Sequence, residues 1–211
     1  MDTGSYLTDL DKLALAVEAT KVAKQHTVDE EGIGEDININ LFSWKDDKLV
    51  SIMQLMGTHK MLRDERLHKL TSAACIKRQG WGVDGFTFIA EGYCSLKPSK
   101  TKDQDLAKLF AEKDSPVSEC LSFTHLGGEQ PIFISVPYKI TLGRNVEFGN
   151  ALCYSAIDVM RDLTYAATLN ASLKLDHDTK SSEGIDKEVY YGTLADAIHD
   201  MGFEIFYRDD V

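Results

Sequence analysis

The sequence lacks the residue spacings that mark most metal sites and disulfide frameworks. Its six histidines show no HxH, HxxxH or HExxH spacing. Its four cysteines form no CxxC pair and lie far apart, at Cys75, Cys94, Cys120 and Cys153. This pattern argues against a disulfide framework and against a cysteine-based zinc site. Scattered cysteines are typical of small buried side chains in a reducing compartment.

Long apolar runs are also missing. No stretch approaches the roughly 18 apolar residues that a membrane-spanning helix needs. The first residues, MDTGSYLTDLDKLALAVEA, carry acids ahead of the apolar part and no basic region. Such a start is not typical of a secretion signal. We therefore expect a cytoplasmic protein.

Acidic residues outnumber basic ones, 34 to 23, and the formal net charge is −11. Because duplex DNA repels a negative surface, direct nucleic-acid binding is not expected. A negative charge of this size favours solubility. A second interpretation is an acidic protein that mimics nucleic acid and occupies a nucleic-acid site on another protein. The one dense acidic cluster is VDEEGIGED, at 28–36.

Hairpins and helices alternate along the chain. Alternating apolar residues flank turn residues in DININLFSW–KLVSIMQLM and in VSECLSFTHL–PIFISVPYKITL, which predicts two β-hairpins. We predict an α+β fold, in which an antiparallel β-sheet built from hairpins carries helices packed on one face. A chain of 211 residues can bury a core as a single domain, 1–211. Polar composition predicts exposed excursions at 102–113 and 176–184.

Helical periodicity marks three long segments. The first covers 5–26 and has Leu10 and Leu13 on its apolar face. The second covers about 62–78, and the third covers 150–174. A shorter helix and a final strand, FEIFY, close the chain.

The glycine-rich segment GWGVDG, at 80–85, superficially suggests a phosphate loop. Phosphate loops follow a strand and open a helix, whereas this segment lies between a helix and the next strand. We expect Gly80 and Gly82 to end the second helix instead.

The segment GFTFIAEGYCS predicts a strand with one carboxylate, Glu91. Side chains alternate between the faces of a strand, so one face carries the phenylalanines. The other carries Thr87, Ile89, Glu91 and Tyr93. Because this second set is mixed, we predict that Glu91 lies on the face that water reaches. Glu91 and Tyr93 are the candidates for acid/base catalysis, against the alternative that Glu91 is a polar residue of a wet sheet face.

The densest set of possible metal ligands is Asp176, His177 and Asp178. Adjacent residues in a polar loop rarely converge on one ion, so a solvated loop is the alternative. Cys120 and His125 lie five residues apart on one predicted strand. They are expected on opposite faces and so cannot form a nucleophile–base pair.

One progression of elements resembles a known group of proteins. A charged helix leads through a glycine turn into DGFTFIAEGYCSLKPS, and the hairpin SECLSFTHLGGEQPIFISVPYKI follows. Over roughly residues 60–145, this arrangement resembles a loose group of small uncharacterised proteins carried by bacteriophages and mobile elements. In that group, an apolar strand ends in a Glu-containing segment before a Pro-Ser turn. The resemblance implies no activity, cofactor or catalytic residue.

The sequence favours a non-enzymatic acidic protein that acts through a protein partner or through self-association. A role as an accessory factor of a bacteriophage or mobile element fits the resemblance. The candidate binding residues are Trp44, Ile89 and Tyr93. One alternative is a small hydrolase that uses Glu91 as its acid/base, and another is the nucleic-acid mimic. No cofactor is expected.

Overall fold

In the part of the chain that the structure describes, eight strands form one antiparallel sheet. The computed structural model describes residues 7–28, 34–95, 117–128, 130–154, 163–178 and 185–207. The strands are β1 (Ile39–Lys45), β2 (Lys48–Leu55), β3 (Gly85–Ser95), β4 (Val117–Leu126), β5 (Ile132–Ile140), β6 (Val146–Phe148), β7 (Leu152–Tyr154) and β8 (Phe203–Tyr207). Their order across the sheet is β6-β5-β4-β3-β1-β2-β8, and β7 also pairs with β5.

Helices pack against this sheet. They are α1 (Asp9–His26), α2 (Arg63–Trp81), α3 (Leu163–Leu173) and α4 (Lys187–Asp200), and a 3₁₀ turn covers Thr58–Lys60. The predicted α+β fold with an antiparallel sheet is confirmed. Three of these helices, α2, α3 and α4, lie on one face of the sheet, and α1 lies on the other.

Each face of the sheet has its own apolar core. On the α2–α4 side, the larger buried side chains include Leu41, Met53, Leu55, Leu70, Phe86, Phe88, Leu169, Ile198 and Phe203. On the α1 side, they include Leu13, Phe42, Trp44, Ile89, Leu121, Phe123, Val136 and Tyr138. Each face therefore has a part that is buried beneath helices.

Both predicted hairpins are present, and their turns follow from the sequence. Asp46 and Asp47 link β1 to β2 with φ of 48° and 62°. Two left-handed residues give the turn whose twist matches that of paired strands, and aspartate tolerates this conformation. The Asp46 N–H donates to Asp84 Oδ2 at 2.9 Å, which ties the turn to the start of β3. The second hairpin joins β4 to β5, as predicted.

The first two helices have clear boundary signals. Thr8 and Asp11 form a capping box at the start of α1. Gly82 ends α2 with φ of 69°, as predicted, and its N–H donates to the Arg78 carbonyl at 3.1 Å. Gly80 does not end the helix: it lies inside α2, where a Cβ would collide with Leu194 of α4. Its role is close packing between helices.

The prediction of one helix over 150–174 is wrong at its start. Leu152–Tyr154 form β7, which pairs with Phe133–Ser135 of β5. Helix α3 is described only from Leu163. The apolar spacing of this segment is compatible with either a helix or a strand. The segment forms a strand because the edge of β5 offers backbone hydrogen-bond partners to Leu152–Tyr154.

The predicted excursion at 102–113 lies outside the described residues. In the second excursion, 176–178 are exposed, and 179–184 lie outside the described residues. Within the described ranges, none of the helices has the length and apolar character needed to span a bilayer.

Candidate functional site

Glu91 does not lie on a wet face, and that prediction is wrong. Helix α1 covers this side of β3, so the Glu91 side chain is 11% exposed. Its neighbour on the same face, Ile89, is fully buried. The assignment of side chains to the two faces of β3 was correct. The error came from treating a mixed face as an uncovered one.

The Glu91 carboxylate receives three hydrogen bonds from different parts of the chain. Lys24 Nζ of α1 lies 2.7 Å from Oε1, and the Tyr138 hydroxyl of β5 donates to the same oxygen at 3.0 Å. The Ile37 N–H donates to Oε2 at 2.8 Å. Lys24, 1% exposed, also donates to the Glu35 carbonyl at 2.8 Å. We call Lys24, Glu91 and Tyr138 the buried ion-pair cluster.

Burial controls the titration of this cluster. Burial raises the pKa of Glu91, although Lys24, the Ile37 N–H and the Tyr138 hydroxyl each favour the ionised form. The pKa of Tyr138 is also raised, first by burial and then by the negative charge of Glu91. The cost of removing the carboxylate from water therefore exceeds what its partners return.

The arrangement limits what Glu91 can do chemically. A cavity of about 390 Å³ lies at the β5–β6 side of the sheet. Its lining residues are Ser118, Pro137, Tyr138, Lys139, Glu147, Phe148, Gly149, Asn150 and Leu152. Of the buried ion-pair cluster, Tyr138 lines this cavity, whereas Glu91 and Lys24 are not among its lining residues. A buried carboxylate that accepts three hydrogen bonds from the protein is typical of a structural residue. Here, through Lys24, it attaches α1 to the sheet.

A second buried network joins α1 to the sheet. Trp44 Nε1 donates to Thr87 Oγ1 at 2.9 Å, and Thr87 Oγ1 lies 2.8 Å from His125 Nδ1. Because the indole can only donate, Thr87 Oγ1 accepts from Trp44, and the same hydroxyl forms the hydrogen bond with His125 Nδ1. His125 Nε2 lies 3.3 Å from Asp9 Oδ1. Burial lowers the pKa of His125, although Asp9 opposes this, so the ring is held neutral.

The predicted separation of Cys120 and His125 is confirmed. His125 contacts Thr87 and Asp9 on the α1 side. Cys120 lies on the other side of β4, with its Sγ 3.6 Å from Ser122 Oγ. A nucleophile–base pair between Cys120 and His125 is therefore not formed.

The candidate binding residues divide between core and surface. Trp44 and Ile89 are fully buried, which corrects their assignment to a contact surface. Their large apolar side chains pack beneath α1. Tyr93 is 58% exposed. A binding or catalytic role for Tyr93 stays a prediction.

The candidate metal ligands do not converge. Asp176, His177 and Asp178 are all exposed. His177 lies against Gly82, and the Asp178 N–H donates to the Gln79 carbonyl at 3.1 Å. Among the residues that the structure describes, no group of histidine, cysteine and carboxylate side chains is arranged to hold a metal ion.

A surface feature that the sequence did not reveal joins α2, α4 and β8. Tyr190 contacts Tyr191, with ring centroids 5.4 Å apart, and Tyr191 contacts Trp81 at 5.5 Å. Lys77 Nζ lies 4.1 Å from the Trp81 ring and 4.6 Å from the Tyr207 ring. We call Trp81, Tyr190, Tyr191 and Tyr207, together with Lys77, the aromatic strip.

The aromatic strip combines exposed rings with a buried amine. Tyr191 is 36% exposed and Tyr207 is 48% exposed, whereas Lys77 is 1% exposed. Burial lowers the pKa of Lys77 to about 7. The four aromatic residues of the strip come from three elements, so their spacing along the sequence could not show that they lie together. The one sequence signal for the strip was the adjacent pair Tyr190 and Tyr191, which stands next to a helical pattern.

Comparisons with family models, with curated proteins and with solved structures gave no match for this chain.

Proposed function

We propose that this chain is a non-enzymatic protein that binds another protein through its aromatic strip. The observation that carries the proposal is a series of contacts: Tyr190 with Tyr191, Tyr191 with Trp81, and Lys77 with both Trp81 and Tyr207. Tyrosine and tryptophan are enriched among the residues that dominate binding energy at protein interfaces. A role as an accessory factor of a bacteriophage or mobile element is part of the same proposal.

The strip has the composition of an interface core. Its rings have an apolar body and a polar end, so they tolerate water when free and bury well when covered. Val189, 62% exposed, extends the apolar area along α4. The Lys77 amine contacts both the Trp81 ring and the Tyr207 ring, and so it links them. A partner would therefore meet a surface that is already ordered, which lowers the entropic cost of binding.

The buried ion-pair cluster supports a non-enzymatic function. Each Glu91 oxygen already accepts a hydrogen bond from the protein. A general acid or base must reach the reacting group of its substrate. Here the carboxylate is directed at Lys24, Tyr138 and the Ile37 N–H, which is the geometry of a structural anchor.

The proposal is tested with a double variant of the strip, Tyr191→Ala with Tyr207→Ala. Leu142→Ala is the control, because Leu142 is a fully exposed residue between β5 and β6, at the sheet edge opposite β8. A partner identified by cross-linking to the wild-type chain is purified, and its affinity is measured by calorimetry. We expect the double variant to bind at least about 30-fold more weakly, since two interface tyrosines contribute about 2 kcal/mol or more. Equal affinities of all three chains would reject the strip as the binding surface.

The hydrolase remains a second candidate because of one observation, the raised pKa of Glu91. A carboxyl group with a raised pKa can serve as a general acid near neutral pH. Its test is turnover of chromogenic ester and glycoside substrates by the wild-type chain and by Glu91→Gln. Turnover that the variant loses while keeping its fold would favour the enzyme over the binding protein.

A further inference from the structure

Lys77 is a buried amine that meets aromatic rings instead of a carboxylate. The residue is 1% exposed, and its Nζ lies 4.1 Å from the centroid of the Trp81 ring and 4.6 Å from that of Tyr207. A buried charge is normally paired with an opposite charge. Lys24, which is equally buried, lies 2.7 Å from Glu91 Oε1. In the described part of the chain, the ion pairs include none with Lys77.

The elements packed around Lys77 supply rings and a hydroxyl. Strand β8 supplies Tyr207, whose pKa is raised by burial, so its hydroxyl stays neutral near pH 7. Strand β2 supplies Ser51, the strand partner of Tyr207, and its buried hydroxyl has no hydrogen-bond partner, so it does not accept from Lys77. Helix α4 reaches the cluster through Tyr191, which contacts Trp81. Among the described residues, therefore, none of these neighbours brings a negative charge to the amine.

The two rings compensate the charge of Lys77 only in part. The face of an aromatic ring attracts a cation, and the attraction grows when water is excluded. Removing an ammonium group from water nevertheless costs more than such contacts return, and burial lowers the pKa of Lys77 to about 7. The interaction that the amine lacks is one with a full negative charge.

We infer that the aromatic strip binds an acidic segment of its protein partner, and that an aspartate or glutamate of this segment reaches between Trp81 and Tyr207 to pair with Lys77 Nζ. The inference rests on the proposed function, since it names the chemistry of the partner that the strip binds. Both rings are partly exposed, so a side chain can approach from solvent. The net charge of −11 is compatible with an acidic partner. Exposed charges more than about 10 Å away are largely screened by salt, whereas a buried pair is screened much less.

Such a pair couples binding to the protonation of Lys77. In the free chain the amine loses its proton near pH 7. Beside a carboxylate the charged form is favoured, so the pKa of Lys77 rises in the complex. Above pH 7 the complex therefore takes up a proton as it forms. The affinity should fall as the pH rises, by about tenfold between pH 8 and pH 9.

N-acetyl-glutamate N-methylamide is the probe for an acidic side chain of a protein, and N-acetyl-glutamine N-methylamide is its neutral control. NMR of the full chain follows the Lys77 side chain and the Trp81 indole while each probe is added to about 100 mM at constant ionic strength. The glutamate probe should shift both signals with a millimolar dissociation constant, and the glutamine probe should not. Acetate tests for a free small carboxylate instead of a protein segment. Acetate that binds as tightly as the glutamate probe would overturn the assignment to a protein partner.

Lys77→Met removes the charge and keeps an apolar stem of similar length. This variant should lose the response to the glutamate probe. Lys69→Met is the matched control, since Lys69 lies on the same helix and is already paired with Glu65 at 3.4 Å. It should respond like the wild-type chain. With the purified partner, Lys77→Met should bind at least about 10-fold more weakly at pH 7, because the partner's carboxylate is left unpaired. It should also lose the fall in affinity between pH 8 and pH 9.

The partner measurements separate this inference from the proposed function. If Lys77→Met binds the partner like the wild-type chain, with the same pH dependence, the inference is wrong. The proposed function then still holds if Tyr191→Ala with Tyr207→Ala weakens binding of the same partner. If neither variant weakens binding, both the inference and the proposed function are wrong.

Discussion

The two faces of the sheet are held by different kinds of interaction. On the α2–α4 side, helices bury large apolar residues such as Leu70, Leu169 and Ile198 against the strands. On the α1 side, one helix is attached by Lys24 to Glu91 and by Asp9 to His125. One face is therefore held mainly by apolar packing, whereas the other combines an apolar core with matched polar partners.

Two buried lysines illustrate the difference. Lys24 and Lys77 are each 1% exposed. Lys24 meets a carboxylate and a backbone carbonyl, and so it fixes α1 in register. Lys77 meets the rings of Trp81 and Tyr207, and burial lowers the pKa of Lys77 to about 7. The two lysines are equally buried but differ in their neighbours: a carboxylate compensates the charge of Lys24, whereas no carboxylate is paired with Lys77 among the described contacts.

The largest expected effect comes from breaking the buried ion pair. Glu91→Leu leaves Lys24 charged and unpaired in the interior, so the free energy of unfolding should fall by about 3–5 kcal/mol. Urea denaturation at pH 7 measures this. Adding Lys24→Met removes the orphaned charge and should recover most of the loss, because burial costs this pair more than its attraction returns. If the double variant is as unstable as Glu91→Leu, the interaction is not a coupled pair.

On the opposite face, Leu70→Ala should lower the free energy of unfolding by about 2–5 kcal/mol, through lost burial and a residual cavity. Leu70 lies on the buried side of α2 and is fully shielded from water. Because the sheet separates Leu70 from Glu91, Leu70→Ala and Glu91→Leu should be additive within about 0.5 kcal/mol. A larger deviation in their double-mutant cycle would show that the two faces are energetically coupled.

The Trp44–Thr87–His125 network should contribute less. Thr87→Val removes the hydroxyl that accepts from Trp44 and is hydrogen-bonded to His125, at a cost of about 1–3 kcal/mol in unfolding free energy. Thr87→Ser is the control, since it keeps the hydroxyl, and it should retain most of the stability. Equal losses in the two variants would assign the effect to the methyl group instead.

Over a single pH unit near neutrality, the pH dependence that Lys77 contributes should be a smaller effect. Its folded pKa, about 7, lies below its ordinary value of 10.5. Between these values the unfolded chain binds more protons, so stability should rise with pH, by at most about 1.4 kcal/mol per pH unit. Below pH 7, Lys77 is protonated in both the folded and the unfolded chain, so it no longer makes stability depend on pH. Lys77→Met should remove this rise in urea denaturation series, and an unchanged slope would show that Lys77 keeps an ordinary pKa.

The elements themselves were largely predictable, because their signals are local. Alternating apolar residues predicted β1, β2, β4 and β5, and the paired aspartates predicted a tight turn. Helical spacing located α1 and α2, and Gly82 correctly marked the end of α2. Residues 150–174 were less predictable, since their apolar pattern is compatible with either structure.

The site was predicted only in part. Alternation along β3 correctly placed Glu91 on the same side as Ile89, but no local rule indicates that a helix will cover that side. The face of α1 was also misjudged: Leu10, expected inside, is 64% exposed, whereas Lys24 is buried. A lysine is normally an exposed residue, and Lys24 is inside because Glu91 lies 67 positions along the chain and compensates its charge.

Local sequence signals were enough for most of the secondary structure, for the antiparallel hairpins and for the division of each strand into two sides, because these depend on neighbours within a few residues. The tertiary structure decided which sides are dry, which lysines are compensated and which aromatic residues meet at the surface. These depend on residues far apart along the chain, such as Lys24 with Glu91 and Trp81 with Tyr191, and their contact energies exist only once the chain has folded.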